Sequence, residues 1–207
     1  MSIFQSPYFE ALSEKVTALG GYYNGHLHLG RVNTWEDSYL GADAHVTDAG
    51  YMSLQRKHAL ISDLHASHAY SQHDYTRRIT DGTDALIACG TRCADTVVDV
   101  TDDRVALSAL DWMMDHAASL ADRIKLRAAS YNPMGFRDDA PRRWQLFEEG
   151  ARRSDFIGAL PEKDDRDDYP DHIGYEDSCA RVLDLARRLG KMVQIHTDQR
   201  NDPNEAG

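Results

Sequence analysis

From residue 94 onward the chain alternates between short β-branched or apolar runs and longer stretches of helical periodicity. This rhythm restricts the fold more than any other feature. Residues 94–100 (ADTVVDV) read as a buried strand. Residues 102–120 place Val105, Leu107, Leu110, Met113, Met114 and Ala117 along one helical side, with Asp102 as N-cap. Further strands are predicted at 124–130, 155–160 and 191–196, and helices at 142–153 and 175–189, the latter stopped by Gly190. Strands alternating with helices of this length form βαβ units, and right-handed crossovers between them impose a parallel sheet.

The first half is less regular. Residues 6–19 predict a helix with Ser6 as N-cap, Pro7 in the first turn, an apolar face of Phe9, Leu12, Val16 and Leu19, and Gly20-Gly21 as the stop. A short apolar strand follows at 22–29, then a polar surface loop at 31–50 and a helix at 51–69. Ser71-Gln72-His73-Asp74 signals the start of a helix that runs to about Cys89. Residues 201–207 have the form of a new helix start, with Asp202 as N-cap and Pro203 behind it. A closed eight-stranded α/β barrel takes about 250 residues, and five βα units with a leading helix fill the 207 present. The expected fold is therefore α/β, of (β/α)8 TIM-barrel type, with about the first five βα units in this chain. The alternative is an open five-stranded sheet. The expected division is an N-terminal helix at 1–20 and a partial barrel at 21–207.

Composition excludes several functions. With 34 acidic against 23 basic residues the formal charge is -11, which disfavours non-specific binding to nucleic acid or an anionic membrane. No apolar run is long enough to span a bilayer. The N-terminal stretch MSIFQSPYFEALSEKV has no secretory pattern, and the cysteines Cys89, Cys93 and Cys179 are too sparse for a disulfide scaffold, so a reduced cytoplasmic protein is expected. No Gly-rich phosphate loop is present.

The chemistry of a parallel α/β fold sits just beyond the C-terminal ends of its strands. Gly25-His26-Leu27-His28 closes the first strand, and side chains at i and i+2 of an extended segment share one side. His26 and His28 can thus offer half of a site for Zn²⁺ or Fe²⁺. His196 closes the fifth strand, ahead of Thr197, Asp198 and Gln199, and would converge on the same mouth. Glu162, beside Lys163 after the fourth strand, is a candidate for contacting substrate, although the run 164–168 reads as a solvated loop. Trp35 and Tyr39 can stack on a planar substrate or anchor their loop. Asp99 can support a metal-bound histidine. His65, His68 and His73 form a solvated face or a rim, and Cys89 and Cys93 read as small core residues.

These segments resemble the amidohydrolase superfamily, and within it the cytosine deaminase-like branch. YNGHLHLG (23–30) is similar to that branch's metal-binding H-x-H after barrel strand 1. VVDVTDD (97–103), IKLRAASYNPMGF (124–136), DFIGALPEKDD (155–165) and VQIHTDQRNDP (193–203) follow in the order of its strands 2 to 5. The resemblance implies one divalent metal ion, zinc or iron, held by His26, His28 and His196, with an activated water attacking a cyclic amide or amidine. Gln199 stands where the branch has Glu, and an amide cannot carry a proton, which directs attention to Asp198 or a group elsewhere. The branch also places a substrate-binding Gln where Asn132-Pro133-Met134 stands here, which argues against cytosine as substrate.

The expected function is metal-dependent hydrolysis of a C–N bond in a cyclic amide, amidine or nitrogen heterocycle, with Asp198 and Gln199 as catalytic candidates and Glu162 and Trp35 as substrate contacts. Open edge strands make a homo-oligomer the expected state. The alternative is an inactive or incomplete α/β fragment that binds or assembles.

Overall fold

The computed structural model describes residues 6–40, 45 and 54–197. Five strands, β1 (Tyr22–Leu27), β2 (Thr91–Asp99), β3 (Lys125–Tyr131), β4 (Phe156–Ala159) and β5 (Val193–Ile195), form one sheet in sequence order, each pair parallel. The helices are α1 (Pro7–Ala18), α2 (Leu54–Ala66), α3 (Gln72–Ala88), α4 (Ser108–Ser119), α5 (Arg142–Arg153) and α6 (Tyr175–Leu189). The sheet curls into a half-barrel. In a flat sheet the first and fifth strands would lie about 19 Å apart, at roughly 4.8 Å per neighbour. Here His26, on β1, and Gln194, on β5, are joined by a 3.0 Å hydrogen bond.

The expected rhythm is present, with α5 and α6 at the predicted bounds and the strands displaced by one to three residues at their ends. The helix-facing side of the sheet buries Ala94, Val98 and Ala128 against Leu110 and Met113 of α4 and Ile79 of α3. The concave side carries a separate cluster of Val97, Ala129, Tyr131, Phe156 and Leu160.

Two local expectations are corrected. Asp102 is not the cap of α4, which begins only at Ser108. Instead Arg143 Nε donates to Asp102 Oδ1 at 2.9 Å, and Asp103 organises the intervening turn by accepting from Val105 N at 2.9 Å and Thr101 Oγ1 at 2.6 Å. The Ser6 cap of α1 is as read, its hydroxyl accepting from Phe9 N at 3.3 Å. Yet no residue of α1 is buried, and Leu19 is 86 % exposed, so its apolar stripe does not face a core of this chain.

The loop after β1 is fixed by a buried arginine. Ser71 caps α3 through Asp74 N, and one turn later Arg78 turns inward with none of its surface exposed. Its Nε donates to Asp74 Oδ2 at 2.9 Å, Nη1 to the carbonyls of Gly30 and Val32 at 3.0 and 2.7 Å, and Nη2 to that of Ala69 at 2.5 Å. Gly82 lets α3 approach the same loop, since a Cβ there would lie 2.9 Å from Leu29 Cδ1. Arg78→Met removes every one of these donors and leaves Asp74 and three carbonyls short of partners. Breaking a buried pair of this kind costs about 3–5 kcal/mol. Urea unfolding is expected to show a loss in that range, and a loss below about 1 kcal/mol would contradict the role assigned to Arg78.

Candidate metal centre

β1 delivers its histidines through an irregularity in its pairing with β2. Asn24 pairs with Ala94 and Leu27 with Thr96, so three steps on β1 match two on β2. Such a bulge re-aims side chains at a strand end. Thr96 Oγ1 secures it, accepting from Leu29 N at 2.9 Å and donating to Leu27 O at 3.2 Å. The His26 and His28 rings then lie 5.2 Å apart between centroids.

His196 arrives from the other end of the sheet. Its backbone N–H donates to Ala159 O at 2.9 Å, continuing the β4–β5 ladder by one residue. Its ring centroid is 4.7 Å from that of His26 and 5.1 Å from that of His28. One ring nitrogen from each of the three residues lies within 4.8 Å of the others. The structure therefore brings together His26, His28 and His196 from strand ends that are 168 residues apart in sequence.

The donor set fits a divalent cation. His28 Nε2 and His196 Nε2 face each other at 3.1 Å. Two imidazole ligands of a tetrahedral zinc, each 2.0–2.1 Å from the metal, place their nitrogens about 3.3 Å apart. His196 Nδ1 is 3.1 Å from Ala159 O, which can only accept, so Nδ1 carries the proton and Nε2 presents its lone pair. Burial, seconded by the Arg31 guanidinium, pushes the His28 pKa down to about 3 against a weaker opposite pull from Asp99. Burial also lowers that of His196. Both rings are neutral near pH 7, the form a metal requires. His28 Nδ1 is buried without a hydrogen-bond partner among the described residues. Tyr131, buried at the end of β3, backs the site with its ring 4.9 Å from His196 and 5.5 Å from His28.

Beside the triad stands a second, ionic cluster. Arg31 Nε and Nη2 grip Asp99 Oδ2 and Oδ1 at 2.9 and 2.5 Å. Tyr70 Oη donates to Asp99 Oδ2 at 2.7 Å, and His65 bridges Asp99 and Asp103 with Nε2 and Nδ1 at 3.1 and 2.7 Å. Burial alone would raise the Asp99 pKa, but Arg31 and His65 hold it well below the usual carboxylate range. Asp99 thus serves Arg31, His65 and Tyr70 and makes no hydrogen bond to the three clustered histidines. His65, read from sequence as solvated or rim-forming, is 1 % exposed, and only His68 and His73 of that trio face solvent.

Among the described residues, the metal-competent cluster contains none of the remaining candidates. Glu162 is half-buried in the turn Pro161–Asp164 after β4 and joins no metal-competent cluster among the described residues. Lys163 places its ammonium 4.0 Å from the centre of the Tyr169 ring. Asp164 corrects the reading of 164–168 as solvated. It is fully buried and accepts from Phe136 N at 2.5 Å, Ser178 Oγ at 2.7 Å and His172 Nδ1 at 3.1 Å. Trp35 is 61 % exposed, whereas Tyr39 is buried and donates to Asp74 Oδ2 at 3.0 Å, making it a loop anchor. Cys89 is exposed at the end of α3 and is not a core residue. Asn132 is spent on its own turn, accepting from Met134 N at 2.8 Å. Asp198 and Gln199 lie outside the described residues. Sequence reasoning missed Arg31, Asp95, Tyr131 and Gln194. The signal for one of them was available, because an acid such as Asp95 inside a β-branched run has to be buried with partners.

No family model matches the sequence. An uncharacterized protein of Haemophilus influenzae is 29% identical over 199 residues, covering 94% of this chain and 65% of that relative. Among solved structures, 5-methylcytosine deaminase from Klebsiella pneumoniae liganded with phosphonocytosine superposes with a TM-score of 0.73 at 24% identity, over 89% of this chain and 41% of that one. The same enzyme liganded with 5-fluorocytosine gives 0.70 at 22% identity. N-isopropylammelide isopropylaminohydrolase from Burkholderia multivorans gives 0.61 at 19% identity, over 86% of this chain and 42% of that one. The fold is shared with these proteins, and the chain spans about two fifths of their length. No helix among the described residues is long and apolar enough to cross a membrane.

The ionic cluster gives a pH dependence of defined sign. Burial alone would lower the His65 pKa, but hydrogen bonds to Asp103 and Asp99 outweigh it and leave it raised above 6.5. A group whose folded pKa is raised stabilises fully below its unfolded value, and that stabilisation fades as pH rises through the folded value. The stability lost on His65→Gln is therefore expected to be larger at pH 5.5 than at pH 9, by urea unfolding at each pH. An equal loss at both would contradict a charged His65.

Proposed function

We propose that the chain carries the metal-binding half of a metal-dependent amidohydrolase, which hydrolyses a C–N bond in a cyclic amide, amidine or nitrogen heterocycle. The reading rests above all on the convergence of His26, His28 and His196 at the C-terminal ends of β1 and β5. This end of a parallel barrel is where its enzymes build their sites. The fold shared with a deaminase and an aminohydrolase supports the same class of reaction. In this reading residues 21–207 are the first part of a barrel, and residues 1–20 precede it.

His26, His28 and His196 would be the metal ligands. A divalent cation bound there, zinc or iron, supplies Lewis acidity and a water acidified to a pKa of about 7. The chain's own residues supply position and charge. Burial, seconded by the Arg31 guanidinium, keeps His28 neutral, and the Tyr131 ring walls the site on one side. Hydrolysis adds water across the C–N bond, so one proton must travel from the water to the departing nitrogen. Gln199 has no titratable proton, so within Thr197-Asp198-Gln199 the carboxylate of Asp198 is the group able to carry it. Trp35 and Glu162, on the loops after β1 and β4, are the proposed substrate contacts. Asn132, committed to its turn, disfavours cytosine itself.

Three free cysteines support a reduced, cytoplasmic protein. The exposed Tyr22 and Tyr23 of β1 and Ile195 of β5, on the two edge strands, favour self-association.

Metal content is the test. After loading with zinc and dialysis, elemental analysis is expected to find one zinc per chain. His196→Ala and His28→Ala, still folded by circular dichroism, are expected to weaken zinc binding by more than the roughly 10- to 100-fold that loss of an outer-shell partner costs. A folded wild-type chain that retains neither zinc nor iron would overturn the hydrolase reading and favour a binding or assembly module.

A further inference from the structure

Gln194, on β5 opposite Gly158 of β4, reaches across the concave face of the sheet to β1. Its Nε2 donates to Gly25 O at 2.9 Å and to Asp95 Oδ2 at 3.2 Å. Both partners only accept when the carboxylate is ionised, so the amide has one workable orientation, with Oε1 turned to His26. That oxygen is 3.0 Å from His26 Nδ1. Rotating the amide by half a turn would set an oxygen against two oxygens.

Asp95 is built to hold this arrangement. It has no exposed surface, and besides Gln194 it accepts from Tyr23 Oη at 2.6 Å and from Arg127 Nε and Nη2 at 2.7 and 2.5 Å. Its oxygens are thereby fixed in place, and one of them points at Gln194. The consequence reaches the triad. An oxygen facing Nδ1 requires that nitrogen to carry the proton, which leaves Nε2 as the lone-pair atom of His26.

We propose that Gln194, clamped by Asp95, is a positioning residue that locks His26 in its Nδ1–H tautomer and so readies Nε2 for a metal. The inference rests on the metal reading of the triad, but the tautomer can be read without any metal. His196 is set independently by Ala159 O, so the two outer ligands of the triad are each ordered by a different acceptor.

The test uses the whole chain with ¹⁵N-labelled histidine. In the metal-free protein at pH 8, two-bond ¹H–¹⁵N spectra are expected to show His26 with a protonated Nδ1 and a pyridine-type Nε2. Gln194→Met, which removes the acceptor at similar volume, is expected to give mixed tautomers at His26. It is also expected to weaken zinc binding by about 10- to 100-fold in competition with a chromophoric chelator. A protonated Nε2 on His26 in the wild type would overturn the proposal and leave the metal reading standing. So would a Gln194→Met variant with unchanged tautomer and unchanged zinc affinity. Should that variant fail to fold, the wild-type spectrum decides alone. A wild type with the Nδ1–H tautomer but no zinc affinity would overturn both the metal reading and the purpose assigned to Gln194.

Discussion

The site exists because the sheet bends far enough for its first and last strands to touch. Imidazole pairs at 3.1 Å cannot form between strands four places apart in a flat sheet. The bend depends in turn on what fills the concave face. At Gly158 a Cβ would lie 2.8 Å from Val97 Cγ1 and 3.2 Å from Tyr131 Cβ, so the missing side chain is what lets these residues close over β4. Tyr131 then leans against His28 and His196, and the concave apolar cluster continues directly into the triad.

Around this centre, buried charge is used to fix backbone that has no regular ladder. Arg78 holds the carbonyls on either side of Arg31, and Arg31 in turn grips Asp99 at the end of β2. Asp99, Asp103 and His65 tie α2 to the turn that follows β2. Each ion has a partner, which is the condition for leaving charges in an interior at all. The imidazoles of His28 and His196, by contrast, have no carboxylate among the described residues hydrogen-bonded to them. Their pKa values fall through burial, and they remain open to a cation.

The rhythm of strands and helices was legible because each element carries its own periodicity, and α5 and α6 fall at their predicted bounds. The H-x-H spacing at 26–28 and the strand-end position of His196 were legible for the same reason. What failed depended on partners distant in sequence. Asp102 looks like a cap by local rules, but Arg143, 41 residues away, claims it. His65 looks solvated on a polar helix until Asp99 and Asp103 enclose it, and Asp164 reads as one more acid in an acidic run until Phe136 N and Ser178 converge on it. The amide of Gln194 carries no periodic signal. Its role appears only when the sheet has curled.

The central claim is that the three imidazoles share one cation, and X-ray absorption at the zinc edge of the zinc-loaded chain tests it most directly. The account predicts a shell of nitrogen or oxygen scatterers at about 2.0–2.1 Å, with the outer-shell pattern of three imidazoles that falls to two in His26→Ala. A zinc coordinated by one imidazole or none, or a spectrum unchanged in His26→Ala, would contradict it.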